Sequence, residues 1–235
     1  MSSIDLFEEN NPLKVTKKKV AENRAALLLA AARLFRERGI DGVGVDEICK
    51  KAGLSHGALY AQFQSKEALA AEAFAFAFKR GFERIAATND GQPVTLTDYL
   101  DYYVSVDQRD HLERSCPTSA SAGEIARQDR VVSERFTDGF EQLVAVIEAG
   151  LNTSPIKAER RPRALVIMAA MMGGVAASRA VAKANPELSD EILLAVRQLT
   201  GQIGGEDLQS PKRTREGAAV DDKAAVKRRK VTMAH

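Results

Sequence analysis

The sequence has 235 residues, of which 45% are hydrophobic and 6% are aromatic, and it contains no tryptophan. That length suffices for one large or two small domains with a buried core, and the abundant alanine favours helices over sheets. The formal net charge is only +2, yet basic residues concentrate in residues 14–66 and 211–235. Basic ends around an acidic middle predict a polyanionic partner for the ends alone.

The same inventory argues against several other classes of protein. The two cysteines, Cys49 and Cys116, make no disulfide framework and lack the spacing of metal ligands. No N-terminal apolar run resembles a signal peptide, and the apolar run over 164–177 is shorter than the roughly 18 residues of a membrane span. The sequence therefore predicts a soluble, cytoplasmic protein with no metal and no cofactor.

Hydrophobic spacing predicts an all-α chain. Residues 1–16 lack periodicity and are expected to form a flexible arm that ends in the basic run 17–19. Apolar residues at helical spacing then predict the first helices over 20–38, 45–52 and 56–63, followed by a long helix that Ser65 caps. The helices predicted in the second half cover 96–107, a broken stretch at 111–126, 131–150, 161–183 and 189–203. After residue 204 the pattern dissolves into a basic tail that is expected to be disordered.

Residues 45–66 contain two short apolar patterns that Gly53 separates. With Gly53 as the turn, Ile48, Leu59 and Phe63 fall where two helices crossing at a steep angle would bury them. Cys49 then lies at the closest approach, where a small side chain is required. This arrangement predicts a helix-turn-helix, whose second helix enters the DNA major groove. An ordinary helical hairpin fits the bare stretch equally well.

The stretch and its flanks, about residues 20–70, resemble the TetR family of transcriptional regulators. The residues that match the family pattern are Leu34, Phe35, Gly39, Ile48, Ala52, Gly53, Ser55, Tyr60, Phe63, Lys66, Glu67 and Leu69. Cys49 stands where the family usually has alanine, and Gly44 replaces a Ser/Thr helix cap. The resemblance implies an N-terminal three-helix DNA-binding domain joined by a long helix to a helical ligand-binding and dimerisation domain. The expected divisions are an arm at 1–16, the DNA-binding domain at 17–66, the second domain at 67–204 and the tail at 205–235.

The resemblance also implies which residues contact DNA. Tyr60 and Lys66 are expected to bind backbone phosphates, Lys66 with the help of the helix N-terminus, and Ser55 is expected to do the same. Lys18, in the basic run, could reach the neighbouring backbone or minor groove, although a solvated run is the alternative. The residues expected to face base edges are His56, Gly57, Ala58 and Gln62.

The second half is expected to hold the dimer interface and a sensor. Small residues at 169, 170, 173, 174 and 177 predict that the helix over 161–183 packs closely with a second chain. On the helix over 189–203 the residues of this seam are Ile192, Leu193, Val196 and Leu199. Close packing within one chain is the alternative. Candidate residues of an inducer pocket are Phe78, Phe82, Tyr99, Tyr103, His111, Phe136, Phe140 and Met168, although such a stripe also suits plain core.

Cys116 is a second sensor candidate. It lies beside Arg114, near His111 and before a predicted helix, and these neighbours favour the reactive thiolate. The stretch also resembles the Gly-Cys-Pro or Gly-Cys-Leu segment of a TetR subgroup, some of whose members sense electrophiles or oxidants, although Ser115 replaces the glycine. A buried, inert thiol is the alternative reading.

The sequence therefore predicts a homodimeric repressor that binds a palindromic operator and is released by a small molecule, electrophile or oxidant. Two other classes were weighed. An architectural, nonspecific DNA-binding protein would suit the basic tail. An enzyme with Cys116 as nucleophile and His111 as base lacks an orienting third residue and an oxyanion loop, so no catalytic residue is predicted.

Overall fold

The structure, a computed structural model, describes residues 16–88, 94–151 and 159–205. These residues form ten α-helices and one 3-10 turn, at Leu112–Arg114, and contain no strand, so the all-α prediction is confirmed. The helices are α1 Lys17–Arg38, α2 Val45–Ala52, α3 His56–Tyr60, α4 Lys66–Thr88, α5 Leu96–Tyr103, α6 Val106–Asp110, α7 Pro117–Ile125, α8 Arg130–Gly150, α9 Arg160–Val181 and α10 Pro186–Gly204. The predicted arm up to residue 15 and the predicted tail past Gly205 lie outside the described residues.

Local capping explains two helix starts, those of α1 and α10, that differ from the predicted ones. The side chain of Thr16 accepts a hydrogen bond from the Lys19 N–H at 3.2 Å, so Lys17 and Lys19 belong to the first turn of α1 and not to an arm. Helix α10 begins at Pro186, which needs no N–H partner at a helix start, and Asn185 caps it through the Leu188 N–H at 3.0 Å. The predicted helix ends at 63 and 107 are likewise wrong, because α3 stops at Tyr60 and a break at 104–105 separates α5 from α6.

The core lies where α1 packs on α4, α4 packs on α8, and α9 packs on α8 and α10. The ring of Phe136 on α8 meets the rings of Phe74 and Phe78 edge-on, each at a centroid distance of 6.2 Å. Met168 on α9 is fully buried. Phe136 and Met168, two of the proposed pocket residues, are therefore packed into the core contacts of the helices.

The small residues of α9 divide between two roles. A Cβ atom on Gly174 would lie 2.6 Å from Val196 Cγ2, so Gly174 lets α9 and α10 of the same chain approach closely. Gly173, by contrast, has no neighbour within 4 Å of such a Cβ atom. On α10, Leu193 is buried and Val196 is half-buried against the chain's own core. The prediction that Gly174, Leu193 and Val196 face a second chain is therefore wrong, because they pack within their own chain. Leu199, by contrast, is 58% exposed and remains available for such a contact.

By length and composition, helix α9 is also long and apolar enough to cross a membrane. In the structure, 39% of its most apolar 18-residue stretch is buried. The apolar run over 164–177 predicts a segment too short for a span, whereas the whole of α9 has 22 residues. A core helix passes the same test, and the packing of α9 against α8 and α10 is what a core helix shows.

Candidate nucleic-acid interface and sensor region

The turn between α2 and α3 follows from two local signals. Gly53 has a φ of +68°, the left-handed conformation that glycine adopts at helix ends with least strain. The Leu54 N–H then donates to the Cys49 carbonyl at 3.0 Å. Two residues later the Ser55 hydroxyl accepts from the Ala58 N–H at 3.3 Å and caps α3. The two helices therefore meet at a short, defined turn.

Burial separates the two faces of this motif. Ile48, Cys49, Leu59 and Phe63 are at most 3% exposed, as expected of the inner face. Tyr60, by contrast, is 56% exposed, and the neighbouring predicted DNA contacts Ser55, His56 and Gly57 are also exposed, with Ala58 half-buried. An aromatic ring this exposed does not serve the core, so the outer face of α3 presents side chains to solvent.

Gln62 has partners on α1 that the sequence analysis did not predict. Its side-chain Nε2 donates to the Val20 main-chain carbonyl on α1 at 3.2 Å. The main-chain carbonyl of Gln62 accepts from Arg24 Nη1 at 3.1 Å. The Arg24 guanidinium also lies 4.5 Å from the centre of the Phe63 ring and pairs with Glu72 on α4. The Gln62 side chain therefore joins the chain after α3 to α1, and its contact with base edges, for which it would have to leave the Val20 carbonyl, stays a prediction.

The other predicted contacts stay accessible. His56 Nε2 pairs with Asp46 on α2, but both side chains are more than half exposed, and such a pair is worth little in water. Lys66 is the first residue of α4, whose start is capped by a hydrogen bond from the Ala68 N–H to the Ser65 hydroxyl at 3.1 Å. Lys18 is exposed in the first turn of α1. The predicted contact residues thus present two hydroxyls, from Ser55 and Tyr60, together with one imidazole and two ammonium groups.

The predicted pocket residues do not converge on one cavity. Phe78 and Phe82 line an open groove of about 460 Å³ between α4 and α8, together with Gly139. Tyr103 and Phe140 do not line that groove; Tyr103 is fully buried, and Phe140 packs half-buried against the core. His111 is about half exposed and lies 3.7 Å from carboxylates of Asp107 and Glu113. Of the predicted pocket residues, Phe78 and Phe82 therefore line this groove, and a ligand site there stays a prediction.

Cys116 occupies the cap position before α7 and has polar neighbours. Its Sγ lies 3.1 Å from the Thr118 hydroxyl, which lies 2.5 Å from the Tyr103 hydroxyl. The Cys116 N–H donates to Gln108 Oε1 at 2.8 Å. Burial raises the pKa of the Cys116 thiol, and the hydrogen bonds from its neighbours offset that effect only partly. The prediction that its surroundings favour the thiolate is therefore wrong.

The cation that acts on this thiol is also not the predicted one. Arg114 forms an ion pair with Asp107, whereas the electrostatic contribution that favours the thiolate comes from Arg36 on α1. Burial lowers the pKa of Arg36 itself to about 10. Sequence reasoning could not find Arg36 as a neighbour, because it lies 80 residues before Cys116 in the chain. The two residues come together only because α1 packs on the turn before α7.

The region around Cys116 also holds buried polar atoms that the sequence analysis missed. Gln108 is only 1% exposed, and its Nε2 has no partner among the described residues. The buried Tyr99 hydroxyl likewise has no hydrogen-bond partner among the described residues. Burial raises the pKa of Tyr99 well above its ordinary value. A glutamine within a polar stretch gives no sequence signal of burial, so Gln108 could be found only from the structure.

A helix-turn-helix with an exposed second helix, followed by a helical body, defines a class of DNA-binding regulators. Residues 27–73 match the family model described as bacterial regulatory proteins, tetR family. Residues 27–73 are therefore similar to the DNA-binding domain of the TetR family, and the predicted resemblance is confirmed over that part of the chain.

Two curated relatives share this part of the chain. YdgC of Bacillus subtilis (strain 168), named an uncharacterized HTH-type transcriptional regulator, is 50% identical over 56 residues, which are 24% of this chain and 29% of that protein. The HTH-type transcriptional repressor BepR of Brucella suis biovar 1 (strain 1330) is 43% identical over 54 residues, 23% of this chain and 26% of that protein. The chain thus spans less than a third of the length of the curated relatives that it matches.

The likeness in fold extends further. The crystal structure of a TetR transcriptional regulator from Chloroflexus aurantiacus J-10-FL superposes with a TM-score of 0.65 at 26% identity. The superposition covers 79% of this chain and 97% of that chain. The similarity in fold therefore includes the helical body as well as the DNA-binding domain.

Proposed function

We propose that the protein is a cytoplasmic, homodimeric transcriptional repressor that binds a palindromic operator and releases it in response to a chemical signal. The observation that carries this proposal is the outward face of α3, where Tyr60 is 56% exposed beside a buried Leu59. The proposed DNA-binding domain covers 17–66 and the proposed sensing and dimerisation domain covers 67–204. The repressor name of BepR supports the direction of regulation.

The second half of the chain supports the dimer. Helices α9 and α10 expose large apolar side chains that a single chain leaves uncovered. These are Leu165, Val166, Leu188, Leu194 and Leu199. Between them the exposed small residues of α9, including Ala169, Gly173 and Ala177, leave room for close approach of another helix. Two copies joined there would place two α3 helices on successive major grooves, roughly 34–36 Å apart.

The proposal is tested first by selecting duplexes from a random-sequence library with the full-length protein and footprinting the product. We expect two protected half-sites about one helical turn apart. Binding without sequence preference would instead favour the architectural alternative.

Single substitutions on the outer face of the motif should change binding to that duplex. Tyr60→Phe removes one hydrogen bond to a phosphate and should weaken binding about tenfold, while Lys66→Ala should also flatten the salt dependence by about one phosphate contact. His56→Ala should change the preferred half-site. Tyr102→Phe is the matched control, because the Tyr102 hydroxyl bonds to Arg84 in the body. If His56→Ala leaves affinity and preference unchanged, α3 does not read the bases.

We propose two routes for the signal, of which a feature of the body supports the first. The groove between α4 and α8 has a volume of about 460 Å³, within the range of small-molecule sites. Its wall includes Phe78 on the same helix that begins beside the DNA-binding motif, so a ligand there could tilt α4. The other route is chemical modification of Cys116, whose raised pKa makes it a slow nucleophile at neutral pH.

The thiol route predicts a characteristic pH dependence. Because the pKa of Cys116 lies above its ordinary value of 9.0, the thiol stays protonated at neutral pH, and its modification by N-ethylmaleimide should accelerate as pH rises past 9. Mass spectrometry of Cys116→Ser and Cys49→Ser proteins would assign the reacting site, and operator release would be followed in parallel. Release that survives Cys116→Ser unchanged would leave the groove as the signal site.

A further inference from the structure

One carboxylate at the end of α7 is hydrogen-bonded to the loop between α1 and α2. Glu124 Oε1 accepts hydrogen bonds from the Ile40 N–H and, at 3.2 Å, from the Asp41 N–H. Both donors lie in the loop between α1 and α2. One turn later on the chain, Gln128 Nε2 donates to the Asp41 carboxylate at 3.2 Å. A residue of the body thus supplies the acceptor for two backbone donors of the DNA-binding domain.

The loop is shaped to receive this carboxylate. Gly39 has a φ of +79°, which ends α1 and turns the chain towards α7. A Cβ atom at Gly39 would lie 2.9 Å from Glu124 Oε1, so only glycine lets the carboxylate come this close. Ile40 and Val43 are at most 2% exposed, and α2 begins directly afterwards, at Val45. The position of Glu124 therefore bears on where α2 starts.

A second contact holds α1 on the other side of the same segment. The Arg36 Nε donates to the Glu113 carbonyl at 3.1 Å, just before α7. The segment 113–124 is therefore attached to the last turn of α1 at one end and to the loop after α1 at the other. Helices α2 and α3 pack on α1 and on each other, so the orientation of α3 depends on this attachment as well as on the junction with α4.

We propose that Glu124 is a positioning residue for operator binding: its carboxylate fixes the α1–α2 loop and thereby the direction in which α3 projects. The inference rests on the proposed function. Two recognition helices can occupy successive major grooves only if each is held at a defined angle to the dimer. If the hydrogen bonds from the loop to Glu124 are lost, α3 stays folded but its angle to the dimer varies. Specific binding then falls, while the electrostatic attraction to phosphates remains.

The test compares full-length Glu124→Ala, Glu124→Gln and Glu124→Asp with the wild type. Affinities are measured for the duplex that the wild type selects and for a random duplex, with hydrogen exchange at the Ile40 and Asp41 amides. Glu124→Ala should weaken specific binding at least about tenfold, leave random-duplex binding unchanged and expose both amides. Glu124→Gln keeps an oxygen acceptor of the same reach and should recover most of the affinity. Glu124→Asp keeps the charge but is shorter, and should resemble Glu124→Ala.

The control is Glu134→Ala, which removes a carboxylate on α8 that pairs only one turn away, with Arg130, and should change neither affinity. Wild-type operator affinity in Glu124→Ala, or equal loss for both duplexes, would overturn the positioning role. If Glu124→Ala does not fold, wild-type operator affinity in Glu124→Asp overturns it instead. A wild-type protein that selects no sequence at all would overturn the proposed function itself.

Discussion

Leu199→Glu is expected to convert the proposed dimer into a monomer and to lower operator affinity more than about a hundredfold, because two linked half-site contacts become one. Leu199 is 58% exposed in the single chain, so the change should leave the helices folded. In a dimer the carboxylate would be buried in the seam without a partner, which is costly. Light scattering after size-exclusion chromatography would measure the mass, and operator titration the affinity.

Val131→Glu is the matched control for this substitution. Val131 is an apolar side chain of similar kind at the start of α8, 43% exposed, and it lies outside α9 and α10. The same charge there should leave both mass and affinity unchanged. A Leu199→Glu protein that keeps the wild-type mass would show that the exposed faces of α9 and α10 do not join two chains.

Asp101→Ala is expected to lower the free energy of unfolding by about 1 to 3 kcal/mol, since it removes the carboxylate partner of a guanidinium that is itself nearly buried. The Arg197 side chain is 8% exposed, and its Nε and Nη2 lie 2.5 Å from Asp101 Oδ1. The Arg197 Nη1 has no partner among the described residues. Asp101 is thus the acceptor that neutralises a guanidinium held between α5 and α10.

Arg197→Met is the informative companion, because it removes the buried charge itself and keeps much of the side-chain volume. Replacing a buried charge by an apolar group costs less than stranding it, so this variant should be the more stable of the two. Urea unfolding at one fixed protein concentration would compare them, since association shifts apparent stability. An Asp101→Ala protein that is more stable than Arg197→Met would contradict this assignment.

The helices of the motif over 45–66 were predictable because their signals are local, whereas the resemblance to the TetR family was needed to distinguish the motif from an ordinary helical hairpin. Gly53 marks the left-handed turn, Ser55 and Ser65 cap the helices that follow them, and the buried positions of α2 and α3 recur at helical spacing. Each of these signals involves residues within about one turn of each other, so a single sequence contains the whole pattern. The predicted bounds of α2 accordingly agree with the structure.

The body was less predictable because its features depend on which helices meet. Nothing near Gly174 in the sequence tells that Val196 fills the space beside it, whereas Gly173 faces away. The thiol of Cys116 has the neighbours of a reactive cysteine in sequence, but tertiary packing leaves the residue only partly exposed, and desolvation raises the pKa of the thiol. Gln62 resembled a base-reading side chain for the same reason: its partner, the Val20 carbonyl, lies on another helix.

Helix α3 has only five residues, too few to be stable alone in water, so Leu59 and its neighbour Phe63 supply the packing that holds it. The side chains that fold the motif and those that face the solvent are therefore different residues. Exposed positions such as His56 and Tyr60 contribute little to stability, and surface substitutions of this kind rarely change it by more than about 0.5 kcal/mol. Single substitutions at these positions can thus change the DNA sequence that the helix binds, and none of the proteins along such an evolutionary path needs to be unfolded.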